Sequence, residues 1–306
     1  MHKPVAIGPF TRIGAQTDIL GECPLWSERE QALWWIDIRR PAIMRYDHSA
    51  GRIDEWKVSD LVGAIALCAD GRLLVAAGDE IFLFDSARDR REAVARLPAR
   101  IDGHRFNDGR CDPQGRFWIG TMHNITRAPE GVLYRLEEDG ALTPVLSGVC
   151  IPNSLCWSPD GATMYFADSL EYGIDAFAFD TARGEIGERR AFARTRTPAF
   201  PDGSAVDAEG CVWNAEFNGG RIVRYAPDGR ILQTVETPTS RPTCCAFGGA
   251  DLDILFVTTT SQHMSEAEKA ADPMAGALLA CTVGVRGLPE SLYAAAPRGN
   301  ARENTI

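Results

Sequence analysis

Glu22, Asn107, Asn153 and Asp202 share one position in a repeated pattern, each five residues ahead of the residue that opens a tight turn: Ser27, Asp112, Ser158 and Asp207. Three of them sit among Pro and Gly, in Gly21-Glu22-Cys23-Pro24, Pro152-Asn153-Ser154 and Pro201-Asp202-Gly203. A single Asn or Asp in such a context is expected to cap turn backbone. Four at one offset are different, because two of them carry charge that is costly to hold together unpaired. That predicts a shared divalent cation with Glu22, Asn153 and Asp202 as ligands. An oxygen-only set suits a hard ion such as Ca²⁺, Mg²⁺ or Mn²⁺, or Zn²⁺ or Fe²⁺ where water fills open positions. Three protein ligands leave room for a substrate. Arg105, two residues before Asn107, offers five donors and no acceptor, which suits substrate oxygens. Its alternative is a surface salt bridge.

These residues need elements to bring them together, and the repeat supplies them. Its most legible copy is Cys156-Trp157-Ser158-Pro159-Asp160-Gly161 followed by Thr163 to Asp168, a hairpin with an Asp-Gly turn. Related copies begin near Leu25, Cys68, Cys111, Val206 and Ala246, and further strand-like runs such as Ile81 to Phe84 bring each unit to about four strands. Markers at Ser27, Cys68, Asp112, Ser158, Asp207 and Phe247 are spaced by 41, 44, 46, 49 and 40 residues. Four-stranded repeats of this length predict an all-β fold, a six-bladed β-propeller, with residues 1–306 as one domain. Five residues before each marker falls near the start of the innermost strand, at the central channel; blade two offers Gly63 there and blade six Pro242. Ring closure requires Phe10 to Ile13 to pair in the last blade, with Leu278 to Val283 or Ser291 to Tyr293. Ser265 to Asp272 is the one helical candidate. The basic run Arg189, Arg190, Arg194 and Arg196 reads as a solvated loop, and Trp34, Trp35, Trp118 and Trp213 as inter-blade core.

Composition narrows the partners. Lys and Arg total 32 against 42 Asp and Glu, a net charge of −10, which excludes the basic footprint of a nucleic-acid binder. Nine scattered cysteines without a Cys-x-x-Cys pair support neither a zinc ribbon nor a disulfide framework. The sequence shows neither a signal-peptide core nor an uninterrupted membrane-length apolar run, so a cytoplasmic protein with no membrane partner is expected. Oligomeric state is not readable.

Leu20 to Trp26, Arg105 to Gly109 through Gly120-Thr121-Met122, Pro152 to Gly161 with Tyr165 to Ser169, Pro201-Asp202-Gly203 and Cys244 to Gly249 occur in an ordered set. In this set the chain resembles the senescence marker protein/gluconolactonase family, also called the regucalcin or sugar-lactonase family. The resemblance implies a six-bladed propeller with one divalent cation held by Glu22, Asn153 and Asp202. It also implies substrate binding by Arg105 and Asn107 and an acid/base role for Asp202. Animal members carry an acidic residue shortly after the Gly-Thr-Met, whereas here His123 and Asn124 follow Met122, so these two are candidate contacts to substrate hydroxyls. The expected reaction is metal-dependent hydrolysis of a sugar (aldono-) lactone in sugar catabolism, with Asp202 as the base. The alternatives are a calcium-binding regulatory propeller, a metal-dependent esterase of another substrate class, and a non-enzymatic scaffold, which would leave the converging oxygens without a purpose. No Gly-x-Ser-x-Gly elbow is present, which argues against a serine nucleophile.

Overall fold

The computed structural model describes residues 2–98 and 103–294. Each repeat folds into a four-stranded antiparallel sheet, and six such sheets surround a channel. The first sheet runs Gly21–Ser27, Ala32–Asp37, Ala42–Asp47 and Arg52–Lys57 from the channel outward. The inner strands of the other five are Val62–Leu67, His104–Cys111, Pro152–Trp157, Phe200–Val206 and Pro242–Gly248. Neighbouring inner strands pack against one another in a closed ring. Closure uses the N-terminal strand Thr11–Ile13, which pairs with Leu278–Thr282 in the register Thr11 to Ala280 and Ile13 to Leu278.

Burial follows distance from the channel. Inner strands such as Pro152–Trp157 are buried at every residue, while the outermost Arg52–Lys57 is half-exposed, so the strands read as apolar near the axis and alternate at the rim. Trp34, Trp35, Trp118 and Trp213 are completely buried, as expected for core. Trp118 and Trp213 also lock the repeated turn. Their Nε1 groups donate to Oδ2 of Asp112 (3.1 Å) and Asp207 (2.8 Å), whose Oδ1 atoms accept the backbone N–H groups of Gln114 and Arg116, and of Glu209 and Cys211. Arg116 and Arg224 supply the charge that lets these two carboxylates be buried.

The basic run departs from expectation. Arg189, Arg190 and Arg194 lie in the outer strand Glu185–Arg194, and only Arg196 falls in the loop beyond it. On an edge strand their heads stay in water, and Asp175 on the adjacent strand draws Arg189 (2.6 Å) and Arg194 (3.4 Å) onto the sheet. The helical candidate forms as Glu266–Ala271, with Ser265 and Glu268 in a capping box. All nine cysteines are free thiols. Among the described residues no helix is long and apolar enough to cross a membrane.

The segment 284–293 crosses one end of the channel. Ala208 N–H donates to Arg286 O (2.8 Å), Gly287 N–H to Leu252 O (2.7 Å) and Tyr293 N–H to Leu67 O (2.7 Å), which ties the strap to three different blades. From the strap, Glu290 pairs with Arg110 of the third inner strand at 3.3 Å. The site is therefore approached from the opposite end.

Candidate metal and substrate site

Every inner strand breaks its pairing register at the site. The shifts fall between Glu22 and Leu25, Val62 and Ala64, Asn107 and Gly109, Asn153 and Cys156, Pro201 and Ser204, and Pro242 and Cys244. A bulge re-aims a side chain that a regular pleat would direct into a blade. Cys23 and Ser154, each following a candidate ligand, accordingly adopt positive φ of 50° and 58°. Gly203 follows Asp202, and a Cβ there would overlap Cys244. The entries to two of these strands are clamped as well. Asp37 accepts the N–H groups of Ile19 and Leu20, just before Glu22, and Asp168 those of Cys150 and Ile151, just before Asn153.

A chain of hydrogen bonds then runs around the channel wall. Arg105 is buried, not a surface residue; its Nε donates to Asn124 Oδ1 (3.0 Å) and its Nη1 to Asn107 Oδ1 (2.6 Å). Asn107 Nδ2 donates to Pro152 O (2.9 Å) and Asn153 Oδ1 (3.2 Å). Asn153 Nδ2 donates to Ser169 Oγ (2.8 Å), which donates to Pro201 O (2.7 Å) beside Asp202. Asp202 is anchored through its own carbonyl, which accepts from Ser154 Oγ (2.6 Å) and Asn214 Nδ2 (2.9 Å), leaving its carboxylate to the cleft. Ser154 thus bonds Asp202 and Ser204 rather than a histidine.

The two carboxylates carry the electrostatic signature of the site. Burial, then the charge of Asp108, raises the Glu22 pKa to about 8. Burial and the charge of Glu22 raise Asp202 well above its ordinary value. Among the described residues neither makes an ion pair; Arg105 helps both only from a distance. Asp202, buried, and Glu22, partly buried, commit no oxygen to a basic side chain among the described residues; beside the amide oxygen of Asn153 they form a donor set that fits a hard divalent cation. Glu22, Asn153 and Asp202 are the residues that could hold it.

The open cleft above them is lined by Glu22, Arg105, Asn107, Asn124, Asn153 and Asp202, together with Leu20, Met122, Ile151, Leu170, Phe200 and Phe217. Of the residues singled out from sequence, His123 is absent from this wall. Its Nδ1 accepts the backbone N–H groups of Ile125 (3.3 Å) and Thr126 (3.1 Å), shaping the loop that follows. Four polar wall residues lie outside the candidates read from sequence: Arg39, Arg127, Ser169 and Gln262. Arg39 and Arg127 come from inter-strand loops outside the repeat's shared positions, which the offset shared by the candidate ligands does not reach.

Residues 20–261 match the sequence profile of the SMP-30/Gluconolactonase/LRE-like region. The chain belongs to this family. It is 37% identical over 282 residues to 6-deoxy-6-sulfogluconolactonase of Pseudomonas putida, covering 91% of this chain and 96% of that protein. It is 34% identical to a pentonolactonase of Haloferax volcanii, covering 92% of this chain and 96% of the relative. A crystal structure of the calcium-binding protein regucalcin from Agrobacterium tumefaciens superposes with a TM-score of 0.89 at 32% identity, over 95% of this chain and 98% of that one. Six blades around a channel are thus the architecture of the family member as well as of this chain.

Proposed function

We propose that this chain hydrolyses the ring ester of a sugar lactone to the open sugar acid, using one divalent cation held by Glu22, Asn153 and Asp202. The observation that carries the reading is the pair of carboxylates, Asp202 buried and Glu22 partly buried, without a basic partner among the described residues at the floor of an open cleft, beside Asn153. Relatives named for the hydrolysis of sugar lactones support the reaction class. When bound, the cation supplies Lewis-acid polarisation of the lactone carbonyl. Asp202 takes a proton from the attacking water and returns it to the ring oxygen as the C–O bond breaks. Arg105 and Asn107 hold sugar hydroxyls and limit tumbling of the ring, with Asn124 fixing the Arg105 guanidinium. Leu20, Ile151 and Phe200 present apolar surface to the sugar's C–H face. We assign the activity to sugar catabolism in the cytoplasm.

Proton release from aldonolactones, measured on metal-stripped and reloaded protein, tests this. Cation binding without turnover of any aldonolactone would instead favour a regulatory calcium-binding propeller.

A further inference from the structure

Three guanidiniums, Arg39, Arg105 and Arg127, line one cleft in a protein whose net charge is −10. Among the described residues none of the three has a carboxylate partner. Arg39 Nε donates to the side-chain carbonyl of Gln262, Arg105 to Asn107, Asn124 and a main-chain carbonyl, and the exposed Arg127 side chain makes no ion pair. They also repel one another. Burial, and then Arg39 and Arg127, lower the proton affinity of Arg105, and Arg127 acts on Arg39 in the same direction. Elsewhere the chain pairs its arginines freely, as with Arg72, Arg116 and Arg224.

Among the described residues the carboxylates lining the same cleft are Glu22 and Asp202, and a divalent cation would consume both. Asp108 lies beside Arg110 below the floor and does not line the cleft. The loaded site then presents three guanidiniums for which the described residues supply no counter-charge. Neutral sugar hydroxyls give a guanidinium hydrogen bonds but no counter-charge, whereas an oxyanion accepts its fork of donors and cancels the repulsion. Arg105 sits deep, beside Asn107. Arg39 follows Asp37, at the end of a strand, and Arg127 lies in the loop after Phe117–His123, which places both nearer the rim.

We propose that the lactone taken by this chain carries an anionic substituent, a sulfonate, phosphate or carboxylate, on the end of the sugar away from its ester, and that Arg39 and Arg127 receive it. This rests on the lactonase reading, and the test separates the two. Hydrolysis of glucono-δ-lactone is compared with that of the same ring bearing a phosphate, a sulfonate or a carboxylate at C6. Binding of the non-hydrolysable anhydroglucitol, its C6 phosphate and sulfonate, and free sulfate is measured by calorimetry.

The expected result is a kcat/KM for the best charged lactone about tenfold or more above the neutral one, shrinking as salt is added. In the Arg39→Gln/Arg127→Gln double variant that ratio falls by about tenfold, chiefly through KM, and the charged anhydroglucitol loses its binding advantage. Equal use of charged and neutral lactones overturns the inference and leaves the lactonase reading intact. Tight binding of the charged anhydroglucitol without turnover of any lactone supports the anion site and overturns the lactonase reading. Free sulfate binding as tightly as the C6 sulfonate overturns the substrate assignment.

Discussion

Glu22 and Asp202, brought from the first and fifth blades, meet at the floor of one cleft, where the charge of Glu22 adds to burial in raising Asp202 and neither is joined to a basic side chain among the described residues. A folded chain tolerates this arrangement when something else supplies the positive charge. Asp202→Asn removes the mutual repulsion of the pair. The metal-free variant should therefore unfold at or above the metal-free wild-type temperature, while the upward shift produced by saturating Ca²⁺ is lost. For the wild type that shift corresponds to about 2.7 kcal/mol at one hundred times the Kd. Differential scanning calorimetry with and without chelator checks both signs.

Ser169 holds the amide of Asn153 from behind, at 2.8 Å. Ser169→Ala frees that amide to rotate without touching the cation itself. Cation affinity should fall about 10–100-fold, with far-UV circular dichroism unchanged. Unaltered affinity by isothermal titration would show that Asn153 is oriented by Asn107 alone.

Asp18 provides a pH signature away from the site. Burial lifts its pKa from 3.8 to about 7, against the indole of Trp35, which donates to it at 2.8 Å, and the Arg40 guanidinium 3.6 Å away. With the folded pKa above the unfolded one, the folded state holds the extra proton. The contribution is complete below about pH 4 and declines as pH rises towards about 7, then stays level. Urea unfolding of wild type and Asp18→Asn across this range should show the wild type losing ground to the variant up to neutrality. A constant difference would mean that Asp18 is already ionised throughout.

The far end of the channel makes a stability prediction. Glu290 and Arg110 are both largely buried and paired at 3.3 Å. Glu290→Ala strands the guanidinium and loosens the strap. Unfolding free energy should drop by about 3 kcal/mol. Arg110→Met with Glu290→Leu should recover much of the loss in chemical denaturation; no recovery would place the cost in the strap's packing instead.

The fold was legible because repetition makes one sequence comparable with itself: the hairpin around Asp160-Gly161 recurs at Asp112 and Asp207, and the spacing counts the blades. The ligand candidates were legible for the same reason, as residues at one offset in equivalent strands. The clamps were not. Asp37 and Asp168 end ordinary-looking strands, and only the fold reveals that they grip the backbone ahead of Glu22 and Asn153. Arg39 and Arg127 sit in loops whose course no periodicity predicts. His123 was drawn in by its neighbour Met122, but its ring turned out to serve its own loop. The basic strand around Arg189 read as loop because charge on an edge strand and charge in a loop look alike until Asp175 is placed beside it.

Loss and return of lactone hydrolysis on removing and restoring the cation tests the central claim most directly. Protein stripped by chelator and dialysed should release protons from an aldonolactone no faster than buffer, recover on addition of a divalent cation, and fail to recover in the Asp202→Asn variant, where the rate should stay about 10²–10³-fold down. Stripped protein that retains its full rate, or an Asp202→Asn variant that recovers completely, would contradict the account.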